Sequence, residues 1–107
     1  MRALLVLAAV LSAPAAAADT LARGTAENAE QVSHGVLRGA YPGIDVGPVA
    51  NCVRDNAPYD ALDYLSYGEP GADDPIRAAV VLAIGDLDRT RECVRDNNVA
   101  LPDRVAP

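Results

Sequence analysis

The pentapeptide "CVRDN" occurs twice in this chain, at residues 52–56 and 93–97, and it holds the only two cysteines. Nothing else in the sequence limits the fold so strongly. A redox dithiol places its cysteines two residues apart, so that one thiolate is stabilised beside its partner. Here they lie 41 apart. A zinc site needs three or four ligands, and His34 is the single histidine. In an oxidising compartment the pair therefore reads as a structural disulfide, Cys52 to Cys93, ahead of a free thiol pair or a metal site. In the chain-entropy account, closing a loop of about 41 residues contributes roughly 4 kcal/mol. Against a typical domain stability of about 5–15 kcal/mol, such a staple decides whether a small domain folds.

The oxidising compartment is itself legible. The opening "MRALLVLAAVLSAPAAAA" has one positive charge, Arg2, then an apolar run, then a break at Pro14, then alanines at 16, 17 and 18. That is the layout of a secretory signal peptide cleaved after Ala18. The apolar run is shorter than the roughly 20 residues that span a bilayer, so no stable membrane insertion is expected after cleavage. The chain from residue 19 to residue 107 then reads as one small domain, periplasmic or secreted. It begins with a loose segment at 19–24 and ends in an irregular tail at 99–107.

Removing the leader takes Arg2 from the nine basic residues and leaves eight arginines against fifteen acids, a net charge of −7. No lysine occurs. Such a surface repels nucleic acid and anionic headgroups, so neither is an expected partner. Phe and Trp are absent and Tyr appears four times, so the core must be built from Ala, Val, Leu and Ile. A chain this short with so little aromatic area is marginal unaided.

The periodicity is helical throughout, and predicts a compact all-α bundle of four to five short helices closed by one disulfide. Thr25 caps a helix through "AENAEQVSHGVLR", with Ala29, Val32, Val36 and Leu37 as its apolar stripe and Gly35 and Gly39 weakening it. After the turn "AYPGID", Asp45 caps a helix that tolerates Pro48 in its first turn and buries Val49, Cys52 and Val53. Pro58 restarts the chain as a first-turn proline. In "PYDALDYLSYG", Ala61, Leu62 and Leu65 face inward and Gly68 ends the helix. Asp74-Pro75 is a strong helix start. The following "IRAAVVLAI" is apolar nearly all round, which predicts the most buried helix. The last helix, "DLDRTRECVRDN", takes Asp86 or Asp88 as its cap. Each "CVRDN" reads as a last helical turn, its Asn adopting the left-handed conformation that ends helices. If the two ends meet about a local two-fold, Arg54 pairs with Asp96 and Arg95 with Asp55.

Catalytic constellations are missing. Ser33 and His34 are neighbours, but adjacent helix residues point about 100° apart, which is poor geometry for a nucleophile and its base. No glycine-rich phosphate loop follows a strand, and no cofactor is expected. Asp86, Asp88 and Thr90 imitate the first ligands of a calcium loop. The sixth position is Arg91 instead of Gly, and the twelfth is Asn97 instead of a bidentate Glu. No metal is expected.

One cluster points to contact instead. With Leu62 and Leu65 turned inward, Asp60, Tyr64 and Tyr67 fall on the outer side of their helix, with Asp63 beside them. Tyrosine beside carboxylate suits a basic protein partner or a sugar. The reading preferred over it folds the N-terminal segment with Val36 and Leu37 over those rings, because a small bundle with so little aromatic area can ill spare it.

The frame "CVRDNA…L…L…DP…V…I…DRT..CV", carried by Cys52, Asn56, Leu62, Leu65, the "DRTRECV" segment and Cys93, resembles small exported single-disulfide proteins of high-GC proteobacteria. The resemblance spans residues 49–99. It implies a helical, periplasmic, disulfide-closed domain and transfers no catalytic residue. The expectation is a non-enzymatic periplasmic accessory or interaction domain whose partner is a protein. The alternatives are a small redox or thiol-dependent enzyme using Cys52 and Cys93, and a purely structural envelope protein.

Overall fold

The computed structural model describes residues 22–105. The leader reading for residues 1–18 lies outside them. Among these residues five helices follow one another: α1 Ala26–Ala40, α2 Gly47–Asn56, α3 Tyr59–Ser66, α4 Pro75–Gly85 and α5 Asp88–Asp96. No strand occurs among the described residues, and a disulfide joins Cys52 to Cys93. The chain is an all-α bundle stapled once.

Local chemistry explains α1. The extended backbone of Thr25 lets its hydroxyl accept the Asn28 N–H at 3.2 Å, satisfying a donor that the first turn cannot pair. Ala29, Val32, Leu37 and Ala40 then recur at helical spacing and are buried. Leu37 is a full core residue, whereas Val36 is only half-buried. Before the helix, residues 22–24 are less loose than predicted. Gly24, in the left-handed region at φ 83°, donates its N–H to the Ser66 carbonyl at 2.9 Å.

Three helix starts differ from expectation, and one is Pro58, which is the N-cap of α3 and not its first-turn proline. Asp45 stands one position too early: Val46 is the N-cap of α2, and the Asp45 carboxylate accepts the Gly47 N–H at 3.0 Å. A short acidic side chain bonding two residues on forms an Asx-turn, so it feeds the helix without heading it. Likewise Leu87, not Asp86 or Asp88, is the N-cap of α5. Asp86 closes α4, and its carboxylate is drawn away by Arg104 at 2.8 and 3.3 Å.

The centre of the bundle is α2. It packs on α1, α4 and α5 and buries Val49, Ala50, Cys52 and Val53 almost completely. This corrects the expectation that α4 is innermost. Within α4 only Val81 and Ile84 are buried, and Ile76 is 65% exposed. A helix apolar on every side has no polar face to fix its rotation. Ala79 and Ala83 face outward, where a single methyl adds little apolar area to the surface. Ala50 on α2 instead allows close approach.

The tail is irregular, as predicted, yet tied down. The Val105 N–H donates to the Ala40 carbonyl at 3.0 Å. Arg104 forks onto Asp86, whose carboxylate, with the Tyr41 phenol, holds that guanidinium above the usual arginine range.

Candidate functional site

The four residues singled out in the sequence lie on α3 and its end. Asp60, Asp63 and Tyr64 project from the helix, and Tyr67 is its C-cap. Asp60 and Tyr64 stand one turn apart, as do Asp63 and Tyr67. All four are exposed. Tyr64 retains 38% of its surface and Tyr67 55%, and Tyr59 at the helix start retains 81%. Leu37 is buried in the core and Val36 packs against it, while the Tyr64 and Tyr67 rings both keep solvent exposure. The part of the N-terminal segment that does meet them is Gly24. A methyl built there would come within 3.1 Å of the Tyr67 hydroxyl.

Behind this face the backbone is held from two sides. Asn28, 2% exposed on α1, donates through Nδ2 to the carbonyls of Ser66 at 2.6 Å and Gly68 at 2.9 Å. The last carbonyls of a helix have no intrahelical partner, so a side chain 38 residues away completes α3. From α4, Arg77 reaches back: its Nε donates to the Tyr64 carbonyl at 3.0 Å, and its guanidinium lies 4.1 Å from the centre of the Tyr64 ring. Asp74 fixes that arginine at 2.9 Å while accepting the Arg77 N–H at 3.1 Å. Those two bonds, the backbone one first, hold the Asp74 carboxyl below its ordinary range. Gly68 is the clearance that makes this possible, because a Cβ there would stand 2.7 Å from Arg77 Cδ.

The double "CVRDN" forms two matching helix ends. Asn56 Nδ2 donates to the Cys52 carbonyl and Asn97 Nδ2 to the Cys93 carbonyl, both at 2.8 Å. Neither Asn is left-handed; that conformation belongs to the next residue, Asn98, at φ 61°. The side-chain amide does the capping instead. The Cα atoms of Cys52 and Cys93 are 5.8 Å apart, and Cys52 is wholly buried. The two-fold charge pairs do not form. Arg54 turns to Glu30 on α1 at 2.9 Å and to its neighbour Asp55 at 3.3 Å. Glu30 is the partner that the packing of α1 on α2 brings closest. A further tie runs from Arg89 on α5 to the Asn56 carbonyl at 2.8 Å.

The Ser33 hydroxyl is buried and donates to the Ala29 carbonyl at 2.8 Å, away from any role with His34. Asp86 is engaged by Arg104 and, at 3.7 Å, by Arg91. Among the described residues no group of three or more histidines, cysteines or carboxylates is placed to hold a metal ion.

The residues that organise the face, Asn28 and Arg77, carried no signal in the sequence reading. An Asn in a first turn looks like an ordinary exposed position, and only the return of α3 across α1 makes it a cap. Arg77 follows an acidic cap by three residues, which hinted at the Asp74 pair but not at the tyrosine. No protein-family model matches this chain, and no curated protein or solved structure is significantly similar to it.

Proposed function

We propose that this chain is a non-enzymatic accessory domain of the bacterial periplasm, exported with cleavage after Ala18, that binds a basic protein partner through Asp60, Asp63, Tyr64 and Tyr67. The observation that carries the reading is the exposure of Tyr64 and Tyr67 on a helix whose end is anchored from behind by Asn28 and Arg77. Rigid aromatic side chains lose little entropy on contact and dominate binding energy at interfaces. Asp60 and Asp63 are exposed on the same helix, which favours a basic partner over a neutral sugar. The disulfide is in keeping with an oxidising compartment. No helix among the described residues is long and apolar enough to cross a membrane.

A photoreactive residue in place of Tyr59, in the full chain expressed in its native cells, tests the reading. The expected result is one discrete adduct that disappears with Tyr67→Ala and with the pair Asp60→Arg and Asp63→Arg, while thermal unfolding is unchanged. No adduct, or one indifferent to those substitutions, refutes the assignment. The intact mass of the exported protein checks the other half. It should begin at Asp19, two hydrogens light, with nothing added by a thiol-alkylating reagent under denaturing conditions.

A further inference from the structure

The tail and α5 enclose an open cavity of about 840 Å³ on the side of the molecule formed by the end of α4, α5 and the tail. Its lining is unusual for this chain. Arg91, Arg95 and Arg104 all border it, against two carboxylates, Asp86 and Asp103. Three of the nine arginines of a protein with net charge −6 thus meet at one place. Arg104 is satisfied by its two-pronged bond to Asp86. Arg91 reaches the same carboxylate only at 3.7 Å, beyond hydrogen-bond range. Arg95 has no carboxylate within 4.0 Å among the described residues. Arg91 and Arg95 are one helical turn apart, where like charges oppose each other. The negative end of α5 favours Arg95, but it offers Arg91 nothing. Apolar walls complete the cavity: Val94 is buried, Leu101 is half-buried, and Tyr41, 7% exposed, lies at the back.

We propose that this cavity binds a small organic monocarboxylate, its carboxylate between Arg91 and Arg95 and its apolar body against Val94 and Leu101. Guanidinium groups match a carboxylate by paired N–H donors. The surplus of one positive charge among the lining residues suits a monoanion rather than a multiply charged phosphate. The site is separate from the α3 face and does not depend on the partner proposed there.

3-Phenylpropionate is a suitable probe, with 3-phenylpropionamide as its neutral counterpart, titrated into the isotope-labelled protein and followed by amide chemical shifts. The acid should give saturable shifts at Arg91, Arg95 and Leu101. The amide should bind at least about tenfold more weakly, the loss expected when one charged hydrogen-bonded pair is removed. Arg91→Gln and Arg95→Gln should each weaken the acid by a similar factor with thermal unfolding unchanged, since both side chains are exposed. Equal binding of acid and amide overturns the proposal. So do saturable shifts centred elsewhere, and so does the absence of saturation at the highest soluble concentration of the probe.

Discussion

Replacing Asn28 by Asp changes one atom group and reverses its hydrogen-bonding sense. In the native chain Nδ2 donates to two carbonyl oxygens, Ser66 at 2.6 Å and Gly68 at 2.9 Å. A carboxylate would instead face both as a third acceptor. Ser66 would keep the Gly24 N–H at 2.9 Å, but Gly68, itself buried, would lose its side-chain donor. An unpaired buried charge costs about 3–5 kcal/mol. An acid in the first turn of α1 returns about 0.3–1 kcal/mol through the helix dipole. The expected net loss at pH 7 is therefore about 2–5 kcal/mol. Asn28→Ala, which leaves the Gly68 carbonyl without that donor but buries no charge, should lose about 1–3 kcal/mol. The two variants separate on acidification. The folded pKa of the introduced carboxyl is raised above its unfolded value by burial and by the facing carbonyls, and the protonated acid can donate one bond. Asn28→Asp should thus recover stability relative to Asn28→Ala as pH falls through the raised folded pKa, because its folded state then binds the extra proton. Urea unfolding followed by far-ultraviolet circular dichroism at about pH 7 and about pH 4.5, the second chosen just above the unfolded carboxyl range, measures both. A loss under about 1 kcal/mol for Asn28→Asp at neutral pH, or no differential recovery, would refute the view that a distant amide caps α3.

Other perturbations follow from single contacts. Reducing the disulfide, or replacing both cysteines by alanine, should remove about 4 kcal/mol for the 41-residue loop and lower Tm by about 20–30 °C; a shift of only a few degrees would contradict the loop-closure account. Thr90 is wholly buried, and its Oγ1 has no hydrogen-bond partner among the described residues. Thr90→Val should therefore gain about 1–2 kcal/mol in urea unfolding, and a loss would mean that the hydroxyl is satisfied. Asp74 is held below its ordinary value of 3.8, so it contributes stability above that value that is lost as pH falls through its lower folded pKa. Asp74→Asn should flatten that part of the acid-unfolding curve, and an unchanged curve would assign the acid sensitivity elsewhere.

Much of this architecture was legible because it is local. Thr25, Pro48, Asp74 and Pro75 announce helix starts through groups within three residues, and Val49, Cys52 and Val53 repeat at helical spacing. The disulfide was legible because two cysteines have one possible partner each. What was not legible depends on contacts distant in sequence. α2 buries Val49, Ala50, Cys52 and Val53 while α4 buries only Val81 and Ile84, although α4 touches the other four helices; composition favours the more apolar candidate instead. Arg54 chose Glu30 over Asp96 because α1 lies closer than the symmetric partner that the repeat suggested. Exposure of Tyr64 and Tyr67 depends on how α1 and α3 pack together, which the stripe of α1 left open.

The bond between Cys52 and Cys93 also divides the molecule into a ring and two arms. The ring contains α3, α4 and most of α5, and with them the acidic tyrosine face. The arms are α1 and the tail beyond residue 93. The segment between α3 and α4 is exposed around Gly71, at φ 82°, the kind of loop in which proteases cut. A single cut there adds one water and releases nothing, because both pieces remain joined through sulfur. A nicked molecule would travel as one species until reduced, with Asn28 and Asp74 still in place on either side of the break. A cut in the tail, by contrast, sheds Arg104 outright and opens the cavity it borders. Wherever proteases are abundant, the chain is thus covalently insured around its tyrosines and not at its tail.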